Sequence, residues 1–264
     1  MARALRPPKL PVKLKVPRLP NIDEEYEDVF EEMTLAEHLD EFRSRLVKTC
    51  VSVGLAFLVG LFLAKPLLRV VRDKVQASQG LDILSPTDPF VVYMKVALYI
   101  AVAIAAPVIM YQMISFLAPG LTRKEKRVVF STLPFVSILF IIGALFAFLV
   151  AAPRAFTFLS NFGGDIFDWT PNGPEVINFY LTLMIGMGLA FELPVVMFTL
   201  AKLHIVSGKR MAKFRRYAVI VILIAAAIIT PTPDPFNMMV VALPIYVLYE
   251  IGLLLARTQV KRSE

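Results

Sequence analysis

The stretch VVFSTLPFVSILFIIGALFAFLVAA, residues 128–152, decides the architecture, because it runs 25 residues without one charged side chain. An α-helix needs about 20 apolar residues to cross a hydrocarbon core of ~30 Å. In lipid the backbone must satisfy its own hydrogen bonds, so helix is the form this segment takes. Outward from it, five further apolar blocks occur: Leu46–Ala64, Phe90–Leu117, Val176–Ala201, Tyr217–Ile229 and Pro235–Ala256. The sequence therefore predicts an all-α polytopic membrane protein with six transmembrane helices. The block Tyr217–Ile229 is the short one, ~20 Å of helix. A re-entrant segment is the competing reading of that block alone; local thinning of the bilayer is the way a short span is accommodated.

Composition agrees. The chain is 57% hydrophobic with a mean hydropathy of +0.68, above the 45–50% apolar content of soluble domains. Its single cysteine, Cys50, excludes an intrachain disulfide. Of the 28 lysines and arginines, 22 fall in the segment up to Lys48 at the start of block 1, between blocks 2 and 3, between blocks 4 and 5, and after block 6. By the positive-inside rule both termini are expected in the cytoplasm. Residues 1–20 are basic and proline-broken and lack the apolar core of a secretory signal. The expected division is a cytoplasmic extension over 1–33 without packed structure, a membrane domain over 34–257 and a cytoplasmic tail over 258–264. Order begins at Thr34-Leu-Ala-Glu37, a capping-box pattern that opens an amphipathic helix running into block 1. Residues 65–89 and 153–175 are expected as external loops, the second turn-rich. Pro107, Pro134, Pro194 and Pro244 lie well inside blocks and predict bent helices that favour a curved wall.

Charges inside or beside the blocks are the candidates for function. Glu192, in GLAFELPVVMF, sits ~15 Å from the block's basic end. A charge at that depth costs ~2.5–3.5 kcal/mol, so it either serves a function or is held by a structural hydrogen bond. Glu125 is the one acid among Arg123, Lys124, Lys126 and Arg127, and Thr122-Arg-Lys-Glu125 also reads as a helix cap. Glu41 precedes Arg45 by four, the favourable orientation for a helical ion pair. Asp234 before Pro235 reads as an N-cap followed by proline at the first helical position. Glu250 and Lys95 are expected to reach solvent. The only histidines, His38 and His204, are far apart, so there is little from which to build a metal site or hydrolytic triad. No cofactor or metal is expected, and the chain reads as a non-enzyme.

Four segments in order, EHLDEFRSRL (37–46), PVIMYQMISFLAPGLTRKEKR (107–127), AFELPV (190–195) and TPTPDPF with LPIYVLYEIG (230–236 and 243–252), resemble the TatC family. That family is the multi-span core of the twin-arginine protein translocase in the prokaryotic cytoplasmic membrane. The resemblance spans about Thr34 to Arg257. It implies a receptor for signal peptides bearing consecutive arginines, which recruits single-span TatA/TatB-like partners into a multimeric complex that exports folded proteins. It further implies that Glu41 and Glu125 hold the arginine pair, with Arg43, Phe116, Pro119 and Arg127 at the same surface. Glu192 matches a buried family glutamate of the intramembrane face. Pro66 matches a proline of the first external loop, and Asp234 an acid of the turn between spans 5 and 6. One departure stands at Asn237-Met238, where many relatives carry glutamine. The competing function is a secondary transporter of a small anion with Glu192 as proton relay; paired broken helices in two corresponding halves are not evident.

Overall fold

Apolar helices with small residues along one stripe pack by close backbone approach, and this chain does so from its first helix. The computed structural model describes residues 34–75, 81–163, 166, 170–230 and 234–260. The extension 1–33, the residues 231–233 between the last two helices, Trp169 and the tail beyond Val260 lie outside the described residues. Among the described residues nine α-helices follow one another: α1 (Leu35–Lys74), α2 (Asp88–Leu117), α3 (Arg123–Phe146), α4 (Ala152–Asn161), α5 (Gly173–Phe191), α6 (Leu193–Lys202), α7 (Gly208–Lys213), α8 (Arg215–Ile229) and α9 (Pro235–Val260). A single bridge between Asp82 and Asn172 is the β-pairing among the described residues.

Helix α1 buries one line of residues, Ala56, Gly60, Ala64 and Val71. The facing stripe on α2 is Val96, Ala97, Ala101 and Ala105. At their closest point a Cβ on Gly60 would lie 2.3 Å from the Ala97 carbonyl oxygen, so only glycine fits. The Tyr93 hydroxyl donates to the Leu61 carbonyl at 2.5 Å. The other faces of α1, including Phe62, Leu58 and Leu55, are exposed to what must be lipid. At the centre of the fold α5 buries Val176, Ile177, Tyr180, Leu183 and Met187. It packs on α2 and α3, α6 packs on α9, and α9 on α8. Helix α5 is thus the hub, touched by α2, α3, α4, α8 and α9, while α1 packs on α2.

Five of the six expected spans are long and apolar enough to cross a membrane. The sixth, α8, has 15 residues, or ~22 Å of helix, and needs the bilayer to thin. Two loops expected from the sequence begin as helix instead. Helix α1 continues ten residues past Ala64, through Pro66, to Lys74, so Pro66 belongs to a helix and not to a loop. The hydropathy falls at Lys65 because the helix turns amphipathic there, with Val71 and Val75 buried and Lys65, Arg69 and Arg72 outside. Likewise the third span passes through one π-turn, Ala147–Ala151, into α4. Pro153 is tolerated there because it sits in the first turn, and Ala152 and Ala155 are buried. The helical run continues through Pro107, Pro134 and Pro244 and breaks at the Glu192–Pro194 step.

Candidate functional site

Thr34 and Glu37 fix where α1 begins. The Thr34 hydroxyl accepts from the Glu37 N–H at 3.3 Å, and Glu37 Oε2 accepts from the Thr34 N–H at 2.8 Å. The Thr34 N–H and, with it, the Thr34 hydroxyl at 2.9 Å donate to the Glu37 carboxylate and hold it below its ordinary pKa. One turn further on, Arg45 Nε donates to Glu41 Oε1 at 2.7 Å, the helical pair expected from the spacing. Arg45 also reaches across to α2, donating through Nη1 to Gln112 Oε1 at 3.3 Å. Glu41 is thereby clamped in one rotamer, with its side chain 16% exposed. Its second oxygen, Oε2, is buried and accepts no hydrogen bond from a described residue.

The same two helix ends are joined by rings. His38 stacks on Phe116 with centroids 4.4 Å apart, and Phe42 meets Phe116 edge-on at 5.5 Å. Beside Phe116, the Ser115 hydroxyl is buried without a hydrogen-bond partner among the described residues. Helix α2 then ends in a single 3-10 turn, Ala118–Gly120, which carries Pro119. The Leu121 N–H closes it on the Ala118 carbonyl at 3.0 Å. Thr122 caps α3 in a second capping box. Glu125 Oε2 accepts from the Thr122 N–H at 2.9 Å and from its hydroxyl at 3.0 Å, so the cap occupies one oxygen of this carboxylate. Arg43 and Arg127 are exposed, on α1 and α3 respectively.

Of the residues expected from the sequence, Glu41 and Phe116 thus meet at the α1–α2 end, and Pro119 and Glu125 lie in the turn and cap that follow within ten residues of Phe116. Three partners were not anticipated: His38, Gln112 and Ser115. Gln112 carried the available signal, a polar side chain within an otherwise apolar run of α2.

Glu192 stands between α5 and α6 as the single residue separating them. Pro194 lacks the N–H that would bond to the Ala190 carbonyl, and this opens the helix there. The Val195 and Val196 N–H groups both donate to the Glu192 carbonyl at 3.0 Å. Glu192 is 8% exposed, and its Oε1 has no hydrogen-bond partner among the described residues. Asp234 is the expected cap, with Oδ1 accepting from the Asn237 N–H at 2.7 Å and Oδ2 from the Asn237 side-chain amide at 2.9 Å. Asn237 therefore has a local role beside the departure at Met238.

Two charges expected to reach solvent are bound across helices. Glu250 accepts from Arg215 at 2.6 Å and from the Tyr246 hydroxyl at 3.2 Å. Lys95 donates to Asn178 Oδ1 at 3.2 Å. Among the described residues no group of three His, Cys, Asp or Glu could hold a metal ion.

The fold is that of a multi-span membrane protein of packed apolar helices, with carboxylates at one otherwise basic helix end and one more inside the helix packing. The family model for the Sec-independent protein translocase protein TatC matches residues 37–244. The chain belongs to the TatC family. It is 34% identical over 226 residues to the TatC of Carboxydothermus hydrogenoformans, covering 85% of this chain and 93% of that one. It is also 34% identical to TatCy of Bacillus subtilis, over 88% of this chain and 92% of the relative. A crystal structure of the twin-arginine translocase receptor TatC superposes with a TM-score of 0.72 at 32% identity, covering 85% of this chain and all of that one. A second crystal structure of that receptor, in DDM, gives 0.74 at 32% identity.

Proposed function

We propose that this chain is the receptor of a twin-arginine translocase. In this reading it binds signal peptides with consecutive arginines at the end of α1–α3, then recruits single-span TatA/TatB-like partners to carry folded cargo outward. The observation that carries the reading is the Glu41 carboxylate. One of its oxygens is fixed by Arg45, and the other is buried and accepts no hydrogen bond from a described residue. A buried acceptor left unsatisfied costs ~1–3 kcal/mol, so an incoming guanidinium gains both charge pairing and relief of that cost. Arginine suits the task because its planar fork stays charged and offers parallel N–H donors, which a lysine ammonium does not. Glu125, with Oε2 in the cap, supplies the second carboxylate.

In the same proposal both termini are cytoplasmic, which follows from the distribution of lysine and arginine, and the membrane is the prokaryotic cytoplasmic membrane. Glu192, nearly buried at a helix break, is the polar point for a partner helix within the bilayer. The chain works by binding and assembly rather than by catalysis. The test is a titration of the purified chain in detergent with a twin-arginine peptide and its twin-lysine counterpart. Tenfold or greater preference for arginine is expected. Equal affinities would overturn the receptor reading and favour the small-anion transporter, for which the peptide's arginines are immaterial.

A further inference from the structure

The end of α1 opposite Glu41 carries Lys65, Arg69, Arg72 and Lys74 within ten residues. Two of these cations are spoken for locally. Arg72 donates to Asp73 at 2.8 Å, and Lys74 lies over the Phe148 ring at 5.7 Å. Lys65 and Arg69 are exposed, and neither forms an ion pair with a described residue.

Lys65, Arg69 and Arg72 share one side of the helix, because positions four and seven apart align on it. They rim a groove of about 340 Å³ whose walls are α1, the start of α2 and the segment that leads into α5. Its floor is apolar, with Leu68, Ile83 and Val92 among the lining residues. The groove's one acid, Asp88, is occupied on Oδ2 by the Ser85 N–H at 2.9 Å. Two main-chain bonds hold the back wall in place, Asp82 N–H to Pro171 at 2.9 Å and Gly173 N–H to Asp82 at 2.9 Å.

Depth along α1 selects the occupant. Leu46–Ala64 covers ~29 Å of helix, which matches a hydrocarbon core of ~30 Å. Lys65 therefore emerges at the boundary of the acyl chains, and Arg69 sits ~6 Å above it, in the headgroup layer. Cations over an apolar floor at that level are complementary to a phosphodiester with acyl chains below it. An inorganic phosphate would meet the cations and leave the apolar floor without a partner.

We propose that this groove holds the headgroup of an anionic phospholipid from the leaflet opposite the Glu41 end, with Lys65 and Arg69 on the phosphate and the acyl chains running down the α1–α2 face. The experiment is native mass spectrometry of the full chain, released from micelles doped with phosphatidylglycerol or with phosphatidylcholine of the same chains. The wild type is expected to retain phosphatidylglycerol at least tenfold better. Lys65→Gln with Arg69→Gln should lower the retained phosphatidylglycerol by one molecule per chain. Lys65→Arg, and Arg154→Gln outside the groove, should retain the wild-type number. A double variant that keeps the full number overturns the proposal. So does displacement of the lipid by an equal concentration of glycerol phosphate, which would make the groove a free-anion site.

Discussion

Glu41→Gln separates the two tasks that Glu41 performs. In the protein alone, Oε1 is half of a helical ion pair with Arg45, and such pairs contribute ~0.2–0.5 kcal/mol. Glutamine keeps a carbonyl oxygen for Arg45, so the melting temperature should move by about 2 °C or less. Peptide binding depends on the other oxygen, whose acceptor becomes an amide nitrogen that repels a guanidinium. A rim pair contributes under ~1 kcal/mol and a desolvated one ~2–5 kcal/mol. With the Glu41 side chain 16% exposed, the expected loss lies near the lower desolvated figure, ~2 kcal/mol, or about 30-fold in Kd. Fluorescence anisotropy with a labelled twin-arginine peptide measures it, with the twin-lysine peptide in parallel. The reasoning fails if affinity stays within twofold while the variant remains folded. It fails equally if the twin-lysine peptide loses as much, since that would indicate a general field and not a fork of hydrogen bonds.

Glu192→Gln keeps the shape and one acceptor at the α5–α6 break, and should bind signal peptide normally with a partial export defect. Glu192→Ala should be the more severe at partner recruitment, and export at the wild-type rate in this variant would remove Glu192 from the account. Gly60→Ala places a methyl 2.3 Å from the Ala97 carbonyl oxygen and should destabilise the α1–α2 contact by ~1–3 kcal/mol; an unchanged thermal unfolding curve would show that the helices separate freely. For α8, a cysteine at Thr232, introduced after replacement of Cys50, should label from outside intact cells. Labelling from the cytoplasmic side alone would make α8 re-entrant.

Much of the fold was legible because lipid imposes one pattern, the long uncharged run, and because caps are local chemistry. Thr34, Thr122 and Asp234 each declared a helix start through spacing within three residues, and all three make the expected bonds. The Glu41–Arg45 pair was legible for the same reason. The misread segments are those where hydropathy and helicity part company. After Lys65 the chain stays helical while its average polarity rises, and at Pro153 a helix-breaking residue falls in a first turn that tolerates it. Contacts between distant residues left no local trace: Arg45 to Gln112, Lys95 to Asn178 and Arg215 to Glu250 join positions 67, 83 and 35 apart. The break at Glu192 needed both the proline and its packing. The carboxylates were legible as exceptions to their surroundings, while the free oxygen of Glu41 became visible only once Arg45 and the α1–α2 packing were in place.

The central claim is that consecutive arginines dock where α1, α2 and α3 meet. The most direct measurement is photocrosslinking of a signal peptide, with the reactive group next to its arginine pair, to the wild-type chain in proteoliposomes, followed by mapping of the linked residues. The account predicts links within residues 38–45 and 112–127, lost when the pair is changed to lysine. Links concentrated on α8 and α9, or an unchanged pattern with the lysine peptide, would contradict it.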